Sequence, residues 1–163
     1  DQEIEYQGYS PNEGTPYVVK HEVLLSPFGV PCVAPPWGTL LAVSLESGEK
    51  VWEVPFGTPR DMVPGLSWFP FFPEMGFPSA GGPAVTDSGL VFIGASMDNY
   101  IRAYDARDGR QIWRHRLPAG GQATPMTYIG RDSGRQFVVI AAGGHAYMRT
   151  QPGDTLVAFS LSD

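Results

Sequence analysis

A chain of 163 residues with a formal charge of −6 and only 11 Lys and Arg has no basic stripe to offer a phosphate backbone, which sets nucleic-acid partners aside. Its hydrophobic fraction of 42% is that of a folded core, while 17% charged residues are too few for long solvated helices. The single cysteine, Cys32, excludes an internal disulfide and a cysteine-rich metal site, and no stretch reaches the length of a membrane span.

Twenty Gly and sixteen Pro divide the chain into many short elements. β-Branched and aromatic runs bounded by Gly, Pro, Asp or Ser predict strands at Tyr17–Glu22, Leu40–Leu45, Lys50–Phe56, Pro83–Thr86 and Leu90–Ala95. Further runs predict strands at Tyr100–Ala106, Gln111–Leu117, Pro125–Ile129, Gln136–Ala142 and Thr155–Leu161. Helical periodicity is nearly absent, so helix beyond single turns is not expected. Residues 57–82 carry several prolines among Trp68, Phe69, Phe71 and Phe72, which reads as a long ordered loop within one domain segment, 1–163.

The sequence repeats. Ala42-Val-Ser-Leu-Glu-Ser-Gly48-Glu-Lys-Val-Trp52 aligns without gaps on Ala103-Tyr-Asp-Ala-Arg-Asp-Gly109-Arg-Gln-Ile-Trp113, and a third copy opens at Leu156-Val-Ala158. In the first two copies the glycine suits a tight turn and the tryptophan offers a flat surface to a neighbouring unit; the chain stops before the Gly and Trp of the third. A four-stranded sheet buries neither face by itself, so such units must stack. The fold class predicted is all-β, as β-propeller blades; a β-sandwich with chance similarity between hairpins is the alternative.

The Ala-x-Asp-x-x-x-Gly-x-x-x-Trp repeat resembles the tryptophan docking motif of the eight-bladed PQQ quinoprotein dehydrogenases, with Ser44 replacing its Asp in the first copy. Met97-Asp-Asn-Tyr100, Leu117-Pro-Ala-Gly-Gly-Gln-Ala-Thr-Pro-Met-Thr-Tyr128 and Val138-Val-Ile-Ala-Ala-Gly-Gly-His145 are similar to the membrane-bound glucose and quinate/shikimate branch. The resemblance implies about two to three blades of the propeller here, the last lacking its outer strand. For a longer parent enzyme it implies PQQ held with Ca²⁺ or Mg²⁺, a sugar or polyol substrate and ubiquinone as acceptor. It also implies the remaining propeller blades, an N-terminal membrane anchor and a periplasmic location. The catalytic base, metal ligands and cofactor-stacking tryptophan of the family are expected upstream, with no metal ligand in this chain.

The repeat alignment places Trp37, Asp98, Asn99 and His145 on equivalent second-to-third strand connections, where successive blades present loops at one rim. His145 and Asp98 are the catalytic candidates, and Asp98, Asn99 and Trp37 the cofactor-binding ones. A carboxylate beside an amide suits orienting a cofactor or pairing with a cation, although Asp and Asn also cap turns. Two glycines before His145 allow close approach to a ligand, although a loop histidine also satisfies backbone carbonyls. Because Asp98 is assigned to a loop rim, Asp98→Ala is expected to lower activity without unfolding. His21 and His115 have no partners at metal-ligand spacing, and nucleophile-elbow, Walker and dinucleotide motifs are missing. A non-catalytic propeller scaffold is the competing function class.

Overall fold

The computed structural model describes residues 9–20, 22, 24–27, 29–63, 65 and 74–161. His21 and the aromatic run Trp68–Phe72 lie outside these residues. The chain forms two compact units, Asp1–Cys32 and Val33–Asp163. In the first, β1 (Tyr9–Pro11) and β2 (Val18–Lys20) pair antiparallel, and Lys20 forms an ion pair with Glu22. The second strand was expected from the sequence and the first was not, because three residues with a proline carry too little pattern to read.

Among its described residues the second unit holds three antiparallel sheets. β3 (Thr39–Val43) and β4 (Lys50–Pro55) form a hairpin. β5 (Ala84–Val85), β6 (Leu90–Ile93), β7 (Tyr100–Asp105) and β8 (Gln111–Arg116) form a four-stranded sheet in chain order. β9 (Met126–Ile129), β10 (Gln136–Ala142) and β11 (Thr155–Ser160) form a three-stranded sheet. The sheets therefore amount to one complete blade, one without its outer strand and the outer half of another. The only helical element among the described residues is a single 3₁₀ turn at Pro59–Asp61, where a proline opens the turn.

Alternation along β6 and β7 decides which sheet each side chain meets. Ile101 and Phe92 point to the three-stranded sheet, where Ile101, Leu117, Val138, Ile140 and Ala142 are buried together with Trp113 and Phe159 packed against them. Val91, Ile93 and Tyr104 point the other way and join Phe56, with Leu40 and Val54 of the hairpin packed alongside. The period-two pattern thus gives the central sheet two apolar faces, as stacking requires. Each fully buried large aliphatic side chain contributes about 1.5–3 kcal/mol.

The repeated turns are superimposable in their bonding. Gly48 N–H donates to Ser44 C=O at 2.8 Å and Gly109 N–H to Asp105 C=O at 2.9 Å, with φ of 71° and 72° at the two glycines. Trp52 then crosses to the next sheet. Its indole N–H donates to Ala106 C=O at 2.9 Å, and a Cβ on Gly109 would stand 2.6 Å from its ring, so that glycine serves both its own turn and its neighbour's tryptophan. Trp113 meets Phe159 of β11 edge-on, with ring centroids 5.1 Å apart.

Candidate functional site

The connection between β6 and β7 begins with a sharp reversal. Ala95 has φ of 42°, and its amide donates to Gly121 C=O at 2.8 Å. Gly94 permits that approach, since a Cβ there would stand 2.2 Å from the same oxygen. The reversal turns Ser96, Asp98 and Asn99 inward, and all three are buried.

Asp98 and Arg102 are both 0% exposed. The carboxylate accepts from the guanidinium at 2.9 Å and 2.6 Å, a bidentate pair four residues apart across the start of β7. Asp98 Oδ2 also accepts the Thr58 amide at 2.8 Å and its hydroxyl at 3.3 Å. Burial opposes the charge on Arg102, but the hydrogen bonds and field of Asp98 outweigh it and hold the guanidinium protonated, its pKa raised. The Arg102 guanidinium also lies 5.6 Å from the Phe56 ring centroid, and its Nε is 3.8 Å from Glu74. Burial in the same face pushes the Tyr104 hydroxyl well above the ordinary phenol range. Asp98 is thus committed to the protein, in the cation-pairing role that its chemistry allows.

The loop is held reciprocally from the hairpin side. The Asn99 amide donates to Asp61 Oδ2 at 3.0 Å, and Asp61 Oδ1 takes the Arg116 guanidinium at 2.5 Å. Carboxylates on two neighbouring loops therefore each bind a backbone N–H of the other. Tyr100 completes this face, with the guanidiniums of Arg102, Arg114 and Arg116 lying 5.2–5.6 Å from its ring centroid.

His145 lies on the β10–β11 connection and is exposed. Its amide donates to Thr150 Oγ1 at 2.8 Å, and its Nδ1 accepts the Met148 amide at 3.4 Å. With Nδ1 an acceptor, the neutral ring carries its hydrogen on Nε2. This connection meets the β6–β7 connection directly: Asn99 Nδ2 donates to Gln151 Oε1 at 3.3 Å. A second link runs through Gln122, whose Nε2 donates to Ser96 C=O at 2.6 Å and whose Oε1 accepts the Thr150 hydroxyl at 2.9 Å.

The structure therefore brings Asp98, Asn99 and His145 into one hydrogen-bonded region. Trp37 stands apart from it. Its indole N–H donates to Val33 C=O at 2.7 Å, its ring meets Phe77 edge-on at 6.0 Å, and the Met75–Ala80 segment separates it from the β6–β7 loop. Sequence reasoning passed over Asp61, Arg102, Gln122 and Thr150. Arg102 sits in the predicted strand Tyr100–Ala106 and Gln122 in the Leu117–Tyr128 motif, but polarity in a strand or a glycine-rich turn reads as surface until burial is known. Among the described residues no group of three or more His, Cys, Asp or Glu could hold a metal ion. No helix among them is long and apolar enough to cross a membrane.

Comparison with known proteins places these features. Residues 1–138 match the PQQ family model described as glucose/ethanol/alcohol dehydrogenase, beta-propeller domain. The chain is 47% identical over 156 residues to quinoprotein glucose dehydrogenase of Escherichia coli, covering 96% of this chain and 19% of that protein. It is 44% identical over 157 residues to a probable quinate dehydrogenase (quinone) of Xanthomonas campestris, covering 96% of this chain and 20% of that one. The chain thus spans about a fifth of the length of these relatives. Among solved structures, quinohemoprotein alcohol dehydrogenase of Comamonas testosteroni superposes with a TM-score of 0.54 at 24% identity, over 75% of this chain and 16% of that one, a likeness of fold. Repeated sheets, the tryptophan-to-glycine contact and a family match over most of the chain make it a member of the PQQ-dependent dehydrogenase family, carrying part of the family's β-propeller.

Proposed function

We propose that this chain is part of a PQQ-dependent dehydrogenase that oxidises glucose to gluconolactone with a quinone as electron acceptor. The observation that carries the reading is 47% identity to a quinoprotein glucose dehydrogenase sustained over 96% of the chain. The proposed setting is the periplasmic side of a bacterial inner membrane, with ubiquinone as the acceptor and further blades supplying most of the site. Oxidation of quinate or shikimate is a second reading, favoured by 44% identity to the probable quinate dehydrogenase.

The donor set of the rim fits the edge of an anionic cofactor such as PQQ. Asn99 keeps a second amide N–H beyond the one given to Gln151, and His145 offers Nε2–H from an exposed ring. Both are suited to carboxylate or carbonyl oxygens of a bound group. PQQ, when bound, supplies the electron sink for alcohol oxidation, with Ca²⁺ or Mg²⁺ as its companion ion. Asn99 would hold the cofactor, and His145 would donate to cofactor or substrate oxygen. Asp98 acts one step back, tying the loop that carries Asn99 to Arg102 and Thr58, while Asp61 holds the Asn99 backbone N–H. Trp37, against Phe77, is the outlying member of the set.

The test is a chimera in which this chain replaces the aligned segment of the Escherichia coli glucose dehydrogenase. After reconstitution with PQQ and Ca²⁺ or Mg²⁺, dye reduction is followed with glucose and with quinate. Turnover of glucose is expected. Turnover of quinate alone would transfer the assignment to the second reading, and a folded chimera inert toward both would overturn the proposal.

A further inference from the structure

Gln122 lies between the two candidate loops with 6% of its surface exposed. A carbonyl only accepts, so the 2.6 Å contact to Ser96 C=O fixes Nε2 on that side and turns Oε1 to the Thr150 hydroxyl at 2.9 Å. Thr150, 5% exposed, passes its hydrogen to Gln122 and accepts the His145 amide on the same oxygen at 2.8 Å. Every donor in this series faces an acceptor, in an order that cannot be reversed without orphaning a buried group. The backbone beneath is tailored to it. A Cβ on Gly120 would stand 2.4 Å from Gln122 Oε1 and 2.7 Å from Thr150 Oγ1, while the Gly120 carbonyl takes the Gly144 amide at 2.8 Å.

We propose that Gln122 is a positioning residue, a buried amide strut that sets His145 at a fixed distance from the Asp98–Asn99 loop through Thr150. This rests on the reading of His145 and Asn99 as ligand-facing groups and adds the device that holds their spacing. Ser96 C=O anchors one end on the β6–β7 connection, and His145 N–H closes the other on the β10–β11 connection. Gln122→Glu is nearly isosteric, and at a pH where its carboxyl is ionised it sets an acceptor against the Ser96 carbonyl, so the strut breaks with almost no change in volume. Thr150→Val removes the hydroxyl at constant shape, and Thr150→Ser keeps it.

The test uses the same chimera and two readouts. In the cofactor-free protein, hydrogen exchange of the 143–150 segment should quicken about tenfold or more in Gln122→Glu and in Thr150→Val, and stay at the parent rate in Thr150→Ser. In the reconstituted protein, Gln122→Glu should lower kcat/KM for glucose by on the order of 10- to 100-fold. It should add little in a His145→Ala background, because both changes disable the same group. Unchanged exchange in Gln122→Glu, or a kcat/KM loss that adds in full to that of His145→Ala, would overturn the strut. A different result isolates the underlying reading: if His145→Ala keeps parent kinetics while exchange responds as expected, the strut stands as structure and the ligand-facing role of His145 falls.

Discussion

Asp98 and Arg102 form a bidentate ion pair at 2.6 Å and 2.9 Å with no solvent exposure on either side chain. Such a pair is held by geometry. Its attraction offsets the desolvation of two charges only because Thr58 supplies further donors to the carboxylate.

Removing one partner leaves the other charged in a dry environment. Asp98→Ala should therefore destabilise the fold by about 3–5 kcal/mol, replacing the expectation that a rim residue can be truncated at little structural cost. Adding Arg102→Met should recover much of the loss, since the orphaned charge is then gone. Denaturant unfolding of the single and double variants measures both, and an Asp98→Ala midpoint equal to the parent's would refute the argument.

Trp52 separates packing from hydrogen bonding. Trp52→Phe keeps an aromatic surface over Gly109 but loses the donor to Ala106 C=O, an expected loss of about 1 kcal/mol. Trp52→Ala also leaves a cavity between hairpin and sheet, and should cost about 2–4 kcal/mol for a partly buried ring. Equal melting temperatures for the two variants would mean that the ring contributes nothing by packing.

Asp105 makes the turn of the second repeat pH-dependent. The Arg107 side chain and amide hold its carboxyl far below the usual carboxylate range. Folding therefore favours the ionised form, and the benefit is complete above the unfolded value of about 3.9. It disappears as pH falls through the lower folded value. Asp105→Ser, which copies the Ser44 turn, should lower the melting temperature at neutral pH and make progressively less difference on acidification. Melting curves across that range decide it; a gap that widens in acid would reverse the sign of the argument.

The chain by itself should neither turn over substrate nor stay monomeric. Leu41, Val43 and Val51 on the hairpin are 46–58% exposed, and Ile129 and Leu156 on the last sheet are both 72% exposed. Apolar strands with open faces and edges associate. Sedimentation of the purified chain should reveal oligomers, and PQQ with Ca²⁺ should produce no dye reduction with glucose. A monomer that reduced dye would place the essential groups within these residues.

Apart from the short β1, strand positions, turns and the tryptophan repeat were legible in the sequence, because each follows from local periodicity and from glycines whose positive φ a turn demands. Gly48, Gly109, Trp52 and Trp113 declare their roles by spacing alone. The grouping of Asp98, Asn99 and His145 was legible too, since equivalent connections of successive sheets share a rim. Which of them is committed to the protein was not. Asp98 is spent on Arg102 while His145 stays exposed, and Trp37 turns to Phe77. Those outcomes depend on burial and on hydrogen-bond direction across segments distant in sequence: Thr58 to Asp98, Asp61 to Asn99, Gln122 to both loops. The period of a strand tells which face a side chain takes, but only the packed neighbours determine whether a polar group there meets a partner or solvent.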